Sequence, residues 1–306
     1  MKLRTEIEPM PLRQPISCRD GIFILGSCFA DNIGSWLKEL CLNVCSNPIG
    51  VLYNPASIAK FLEGVCARKD SSAVPVQGPD GLYYSFSHHG SFCGETPEQL
   101  LSQTKEAQET ATKAFKEAKH VVVTFGTAWV YEREGEVVAN CHKFPAKTFV
   151  RRRLSVEEIV EMWKPLIETS GRHFVFTVSP IRHVKDTLHG NQISKSTLLL
   201  AIDSLCEQYP DQVEYLPIYE LLIDDLRDYR FFADDLVHPS PMAIEMVKEY
   251  FAQNCLDKDC QRYIQQATSL LASLNHRPLH PESEAYQSFI NETKRKFKSL
   301  KEKYLK

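Results

Sequence analysis

Short apolar runs alternate with longer amphipathic stretches along this chain. The runs are rich in β-branched and aromatic residues, which is typical of buried strands; they lie at residues 21–26, 42–46, 120–125, 173–178 and 213–218. Between them, apolar residues recur at three- and four-residue spacing, which predicts helices. Strands that are apolar on both faces and alternate with helices favour a parallel sheet covered on both sides. We therefore predict an α/β fold, a three-layer α/β/α sandwich with a flavodoxin-like parallel sheet of about five strands.

Other segments depart from this alternation. Residues 67–96 are polar and rich in aromatic residues, and they predict an inserted hairpin that acts as a lid or binding loop. Residues 130–150 predict a loop-rich excursion, and a helix is predicted at 194–209. Residues 1–20 contain three prolines and are predicted to run extended over the surface.

The C-terminal part of the chain forms a separate unit in this interpretation. We assign residues 1–256 to the main domain and residues 257–306 to a helical appendage. The last helix, predicted at 282–305, carries an apolar stripe beside many basic residues. Such a stripe packs on its own domain or on a sister chain more often than on a membrane, so a homo-oligomer formed through this helix is a hypothesis.

Composition narrows the class of protein. The 306-residue chain is 43% hydrophobic and 25% charged, with a net charge of -3, as in ordinary soluble globular proteins. Nothing in this charge points to nucleic acid or an anionic membrane as a partner, and no apolar run approaches the roughly 20 residues of a membrane helix. The N-terminus lacks a signal peptide's apolar core. Ten scattered cysteines without a CxxC pair favour a cytoplasmic, reduced protein. We expect no metal and no cofactor.

A strand-to-helix turn carries the first candidate chemistry. The strand at 21–26 ends at Gly26, and the helical pattern begins at Asp31, so Ser27 and Cys28 lie in the turn between them. In an open α/β sheet, ligands bind at the carboxyl ends of the strands, where Ser27 could act as a nucleophile. Two alternatives remain: Ser27 only caps the helix, or Cys28 is the nucleophile. Without a catalytic role, Cys28 is a small residue packed inward beneath the turn.

A second candidate element follows the last predicted strand. His238 lies just ahead of a helix for which Ser240 is the predicted N-cap and Pro241 the first residue. Asp235 is three residues upstream, close enough to accept a hydrogen bond from one imidazole nitrogen. A carboxylate that fixes the imidazole tautomer is what a general base needs. The pair Asp235 and His238 therefore predicts an acid–base unit.

Several runs in order resemble one family, the GSCFA domain family, over roughly residues 20–255. The runs begin with Gly-Ser-Cys-Phe-Ala at 26–30; the others lie at 47–55, 125–130, 140–143, 179–183 and 235–240. That family distantly resembles the SGNH (GDSL-type) hydrolases. The resemblance implies that Ser27 is the nucleophile, His238 the base and Asp235 the residue that orients it.

The same resemblance implies an oxyanion hole and exposes a departure from the pattern. Backbone amides of Ser27 and Gly50 match two donors of the hydrolases. Their third donor is the first Asn of a Gly-x-Asn-Asp run, but this chain has Ala128 at that position. Because a lost oxyanion donor costs about 10²–10³ in rate, we expect another residue to replace it. Asn140 is the first candidate, followed by the Trp129 indole and Asn54.

The resemblance implies a serine esterase or O-deacetylase that acts on a small or carbohydrate-like acyl ester through an acyl-enzyme. We place four side chains at the substrate: Asn54, His89, Trp129 and His183. An O-acyltransferase uses the same intermediate and stays open. A ligand-binding module without catalysis also stays open, and the missing Asn favours it. The basic run at 151–153 is interpreted as solvated surface.

Overall fold

A five-stranded parallel sheet lies at the centre of the molecule. The structure, a computed structural model, describes residues 5–68 and 73–306. Within them, eleven strands occur along the chain: β1 Gly21–Gly26, β2 Val44–Ser46, β3 Val76–Gln77, β4 Tyr83–Tyr84, β5 Cys93–Gly94, β6 Ala118–Phe125, β7 Trp129–Arg133, β8 Glu136–Val138, β9 Val150–Arg153, β10 His173–Val178 and β11 Val213–Tyr215. The central sheet has the order β11-β10-β6-β1-β2, with all neighbours parallel.

Helices cover both faces of this sheet. In the same described residues they are α1 Cys28–Glu39, α2 Pro55–Cys66, α3 Pro97–Glu117, α4 Val156–Ser170, α5 Thr187–Gln208, α6 Ile218–Glu220, α7 Pro241–Cys255, α8 Lys258–Leu274 and α9 Glu284–Tyr304. A π-helical stretch, Leu221–Asp225, continues α6. The order of strands and the two helical layers confirm the predicted flavodoxin-like sandwich, and the order reverses at β1, so a crevice opens between β1 and β6 at their carboxyl ends.

Alternation along the strands divides the core into two hydrophobic clusters. Phe23 and Leu25 of β1 point to the face covered by α2, α4 and α5. Ile22 and Ile24 point to the opposite face, which is covered by α1, α6, α7 and α8. Strands β1, β6 and β10 bury side chains on both faces, because successive side chains of a strand alternate between the faces. The result explains why the strands read as unbroken apolar runs.

The two excursions from the sheet form small antiparallel sheets. In the 67–96 insert, β3, β4 and β5 pair in sequence order, which confirms the predicted hairpin and adds a strand. The region 130–150 was predicted to be loop-rich, and residues 139–145 are loop, but the prediction missed a small sheet in which β7 pairs with both β8 and β9. The strands have only three to five residues and pair with residues up to 24 positions away, which local pattern does not reveal.

Two further predictions need correction. Residues 5–20 do not simply run over the surface: Leu12 and Ile16 are buried in the core, and the Ile16 amide donates to the Cys255 carbonyl (2.7 Å). The predicted helix at 194–209 begins seven residues earlier, at Thr187. Residues 1–4 of the predicted N-terminal segment and 69–72 of the predicted insert lie outside the described residues.

The C-terminal helices pack on the α1 side of the molecule. Tyr263 of α8 is fully buried, and its hydroxyl donates to the Leu40 carbonyl at the end of α1 (2.5 Å). The Tyr263 ring lies 5.8 Å from that of Tyr304 on α9, and Leu300 of α9 is also buried. Phe289 of the same helix is exposed. Self-association through α9 stays a prediction.

Candidate active site

Gly26 closes β1 in a conformation that shapes the turn after it. Its φ is +130°, and a Cβ at this position would lie 2.2 Å from the Thr124 carbonyl oxygen of β6, so only glycine fits. The Gly26 amide donates to Asn47 Oδ1 (2.9 Å), and Asn47 Nδ2 donates to Asp31 Oδ1 (2.7 Å). The start of α1 is therefore tied to the loop after β2.

Ser27 takes the N-cap position of α1 but does not cap it. Its backbone is extended, its side chain makes no capping hydrogen bond, and the residue is only 2% exposed. Within the described part of the chain, Ser27 Oγ has no hydrogen-bond partner. The helix-cap alternative for this serine is therefore wrong. A buried hydroxyl without a partner carries a free-energy penalty of about 1–3 kcal/mol, and such groups in native structures often have a functional role.

Asp235 and His238 form a close pair on the loop before α7. Asp235 Oδ2 lies 2.5 Å from His238 Nδ1, while Oδ1 accepts the amides of Val237 (3.0 Å) and His238 (2.9 Å). The amide and then the ring of His238 lower the pKa of Asp235 to about 2, so this carboxylate stays ionised at neutral pH. Both side chains are half exposed. The predicted caps of α7 are confirmed: Ser240 Oγ accepts the Ala243 amide, and Pro241 is the first helical residue.

An apolar cavity of about 160 Å³ separates the turn from the histidine loop. Cys28 at the start of α1 and His238 both line it, together with Asn32 and Ser179. Ser27 does not line this cavity, and no hydrogen bond joins Ser27 to His238 among the residues described. Cys28 is thus half-buried at a cavity wall rather than packed inward. Burial, followed by the charge of Asp31, raises the pKa of the Cys28 thiol, which disfavours the reactive thiolate.

The residues predicted for the oxyanion hole already have other hydrogen-bond partners. The Ser27 amide donates to the Thr124 carbonyl (3.3 Å), and the Gly50 amide donates to the Asn47 carbonyl (2.8 Å). Asn140 Oδ1 accepts the His142 amide (2.9 Å). Ala128, which occupies the position of the usual asparagine, is fully buried in the core. In this conformation neither amide is free for a substrate oxygen, and the predicted oxyanion role of each stays a prediction.

Two further candidates have structural partners. Asn54 is the N-cap of α2: its Oδ1 accepts the Ser57 amide (2.8 Å). The Arg151 guanidinium lies 4.3 Å from the Trp129 ring centroid and 5.6 Å from that of Tyr131, and it forms an ion pair with Asp186. Trp129 Nε1 is buried with no hydrogen-bond partner among the described residues. The stacked Arg151 also shows that the basic run at 151–153 is only partly solvated surface.

The two predicted substrate histidines lie on different segments. His89, in the insert, packs against Gly50: a Cβ added to Gly50 would lie 2.3 Å from the Cβ of His89. His89 Nδ1 contacts Ser91 Oγ (3.0 Å). His183, after β10, lies edge-on to Tyr53, with ring centroids 6.4 Å apart. Burial and the charge of Lys195 lower the pKa of His183 to about 4. Both rings contact the loop after β2, His89 at Gly50 and His183 at Tyr53.

The family is decided by a match over most of the chain: the model of the GSCFA family matches residues 21–251. The chain belongs to the GSCFA family. A second model, the C-terminal domain of GSCFA domain proteins, matches residues 268–306. The predicted boundary at 256/257 falls between the two matched ranges and stays a prediction. No curated protein matches the chain.

Among solved structures, this GSCFA protein is similar to a carbohydrate esterase family 2 enzyme with a carbohydrate-binding domain from Corynascus thermopiles (Myceliophthora fergusii). The match has 13% identity and a TM-score of 0.36, and it covers 84% of this chain and 69% of that one. At this TM-score the likeness is no evidence of shared chemistry.

Tyr53 is a site residue that the sequence reasoning missed. Its carbonyl accepts the amides of Gly126 (2.7 Å) and Thr127 (3.0 Å) in the loop after β6, and its phenol lies close enough to Cys28 for each group to shift the pKa of the other. Burial, and then Cys28, raises the pKa of the phenol, which therefore remains a donor at neutral pH. Its only sequence signal was membership of the 47–55 run.

Lys195 is the second missed residue of the GSCFA site. It is 1% exposed, and its Nζ lies 2.6 Å from the carbonyl oxygens of both Gly126 and Ser179. Burial lowers its pKa to about 7. These carbonyls follow β6 and β10, so one ammonium group joins the ends of two central strands. A signal was available, because Lys195 shares the apolar face of α5 with Leu198 and Ile202 at helical spacing.

Neither a metal-binding cluster nor a membrane-spanning helix occurs among the described residues. In residues 5–68 and 73–306, no group of three or more His, Cys, Asp or Glu side chains is arranged to hold a metal ion. A search of the same residues finds no helix with the length and apolar character needed to span a membrane.

Proposed function

We propose that this GSCFA protein is a serine esterase that cleaves an acyl ester through an acyl-enzyme intermediate. One observation carries the proposal: Asp235 holds the imidazole of His238 through Nδ1 (2.5 Å) at the wall of the cavity that the Ser27-Cys28 turn borders. With Nδ1 protonated and paired to the carboxylate, Nε2 is the nitrogen that can accept a proton.

In the proposed reaction, His238 Nε2 takes the proton of Ser27 Oγ as the oxygen attacks the ester carbonyl. The alcohol then leaves with that proton, and the acyl group stays on Ser27. A water molecule, activated by the same imidazole, hydrolyses the acyl-serine. Because Ser27 Oγ is buried with no partner among the described residues, the reaction requires His238 and the hydroxyl to approach each other. The His238 side chain is half exposed, whereas Ser27 is buried, so of the two side chains the histidine has more room to move.

The side-chain donor that contacts the turn is Tyr53. Its phenol is protonated at neutral pH and lies near Cys28, next to the proposed nucleophile. Tyrosine hydroxyls can stabilise an oxyanion. We propose Tyr53, in addition to Asn140, as a replacement for the oxyanion-hole asparagine, whose position Ala128 occupies in this chain.

A cysteine hydrolase is the second candidate function, and the cavity lining favours it. Cys28 lines the cavity together with His238, whereas Ser27 does not. Against it stands the raised pKa of the Cys28 thiol. An O-acyltransferase would share the acyl-enzyme and differ only in the acceptor. A ligand-binding module without turnover would need neither the unpaired Ser27 hydroxyl nor the fixed tautomer of His238.

Active-site labelling separates these functions. The protein would be treated with a fluorophosphonate probe and the adduct located by peptide mass, using Ser27→Ala, His238→Ala and Cys28→Ala variants. Labelling of Ser27 that is lost in the first two variants and kept in Cys28→Ala is the expected result. Labelling of Cys28 by iodoacetamide, dependent on His238 and without fluorophosphonate labelling, would support the cysteine enzyme. No His238-dependent labelling of folded protein by either reagent would favour the binding module.

A further inference from the structure

The cavity between α1 and α7 has an apolar interior and a polar end. The interior is formed by side chains from four segments, among them Phe29 and Ile33 of α1, Ile181 after β10, Leu222 after α6, and Ile244 and Val247 of α7. Its polar residues are Cys28 and Asn32 in the first turns of α1, Ser179 after β10 and His238 on the loop before α7, and these segments meet at the carboxyl edge of the sheet. A ligand with a polar head and an apolar tail matches this distribution.

We propose that this cavity is the acyl pocket of the enzyme and that it takes an unbranched aliphatic acyl chain of about four to six carbons. The proposal rests on the esterase function and specifies its substrate class. The ester carbonyl would lie at the end formed by Cys28 and His238, and the chain would extend between α1 and α7.

Volume argues for this length of chain. The cavity measures about 160 Å³, close to the roughly 150 Å³ of an engineered apolar cavity that holds one benzene molecule. An acetyl group would leave most of that space unfilled, and unfilled apolar space forfeits contact energy. A sugar ring would be worse, because its hydroxyls would lose water and find few partners among Phe29, Ile33, Leu222 and Val247. The alcohol part of the substrate would therefore lie outside, at the exposed histidine loop.

Binding of unreactive amides tests the pocket without relying on turnover. Acetamide and hexanamide differ by four methylenes, and each methylene removed from water strengthens binding up to about fourfold. We expect hexanamide to bind wild-type protein at least tenfold more tightly than acetamide, as measured by ligand-observed NMR titration.

A filling substitution with a matched control locates the binding. Val247→Phe places a phenyl ring in the cavity and should weaken hexanamide binding at least tenfold. Ile244→Phe should have the same effect and replaces the first variant if that one unfolds. Met242→Phe adds the same ring to α7 at an exposed position and should leave binding unchanged. Equal affinity for the two amides, or hexanamide binding that survives both filling variants, would overturn the acyl pocket. If the esterase function is wrong but the pocket is right, fluorophosphonate labelling would be absent while hexanamide binding stayed intact.

Discussion

Replacing Asp235 by asparagine tests the catalytic unit most directly. The variant keeps Oδ1, which accepts the amides of Val237 and His238, so the loop should retain its shape. It replaces Oδ2, 2.5 Å from His238 Nδ1, with an NH₂ group. Two donors cannot face each other, so Nδ1 must become the acceptor and Nε2 must carry the proton. In that tautomer the imidazole cannot take the proton of Ser27.

The size of the effect follows from the exposure of the pair. For a buried catalytic Asp-His pair, the same change lowers kcat about 10⁴-fold. Here both side chains are half exposed, so water competes for the imidazole, and we expect a loss of about 10²–10³ in kcat with little change in KM. Because the pKa of Asp235 is about 2, its titration should not contribute to the pH profile of wild-type kcat above pH 4.

The assay is steady-state hydrolysis of p-nitrophenyl hexanoate, with fluorophosphonate labelling rate as a second readout. Asp234→Asn is the matched control, because it makes the same change at the adjacent exposed residue, and it should retain wild-type kcat. The reasoning would be refuted if Asp235→Asn, folded by circular dichroism, kept more than a tenth of wild-type kcat, or if both variants lost activity equally.

Three further predictions concern stability and follow from individual contacts. Gly26→Ala should lower the free energy of unfolding by about 3 kcal/mol or more, because the new Cβ would overlap the Thr124 carbonyl at a φ of +130°. Urea denaturation measures this change. The control Gly135→Ala, with nothing within 4 Å of its Cβ, should lose less unfolding free energy. Ser155→Ala removes the capping box of α4 and should cost about 1 kcal/mol in the same assay; an unchanged urea midpoint would contradict the role of the cap. Lys195 has a folded pKa of about 7, below its unfolded value, so the buried charge of Lys195 destabilises the fold fully below pH 7 and less as the pH rises toward 10.5. Between pH 7 and pH 9, the free energy of unfolding of the wild type should therefore rise by about 2 kcal/mol relative to Lys195→Met. Parallel stability curves for the two proteins would refute this.

The central fold was predictable because its signals are local. Three strands of the main sheet, β1, β6 and β10, are runs buried on both faces, so the sequence marks them without knowledge of their neighbours. The small sheet of β7, β8 and β9 was missed because its strands contain charged residues such as Arg152 and Glu132, which pair with each other across the sheet (2.7 Å). Their strand conformation depends on that pairing and on Arg151 stacking over Trp129, neither of which is visible along the chain.

The candidate site divides in the same way. Ser27 with its turn, and Asp235 with His238, are each encoded within a few residues, so the sequence could single them out as candidates. Tyr53 and Lys195 both contact the backbone of Gly126, more than 60 residues away in the chain, so these contacts emerge only in the folded chain. The hydrogen bonds made by the Ser27 and Gly50 amides likewise depend on Thr124 and on the loop after β2, beyond what spacing predicts.

The contacts around the turn indicate which part of the site must move. Gly26 is held by Asn47, and Asn47 by Asp31; the loop after β6 is held by the Tyr53 carbonyl and by the Lys195 ammonium. Displacing the Ser27 turn would break several buried hydrogen bonds at once, each costing about 1–3 kcal/mol when one partner is left unpaired. The His238 side chain is half exposed, so water can replace the contacts that it gives up, while hydrogen bonds between the backbones of Ala233 and His238 and of Ser240 and Phe231 hold the loop itself. In the proposed serine esterase, Ser27 therefore stays in place and the side chain of His238 completes the approach, with substrate in the apolar cavity that His238 lines.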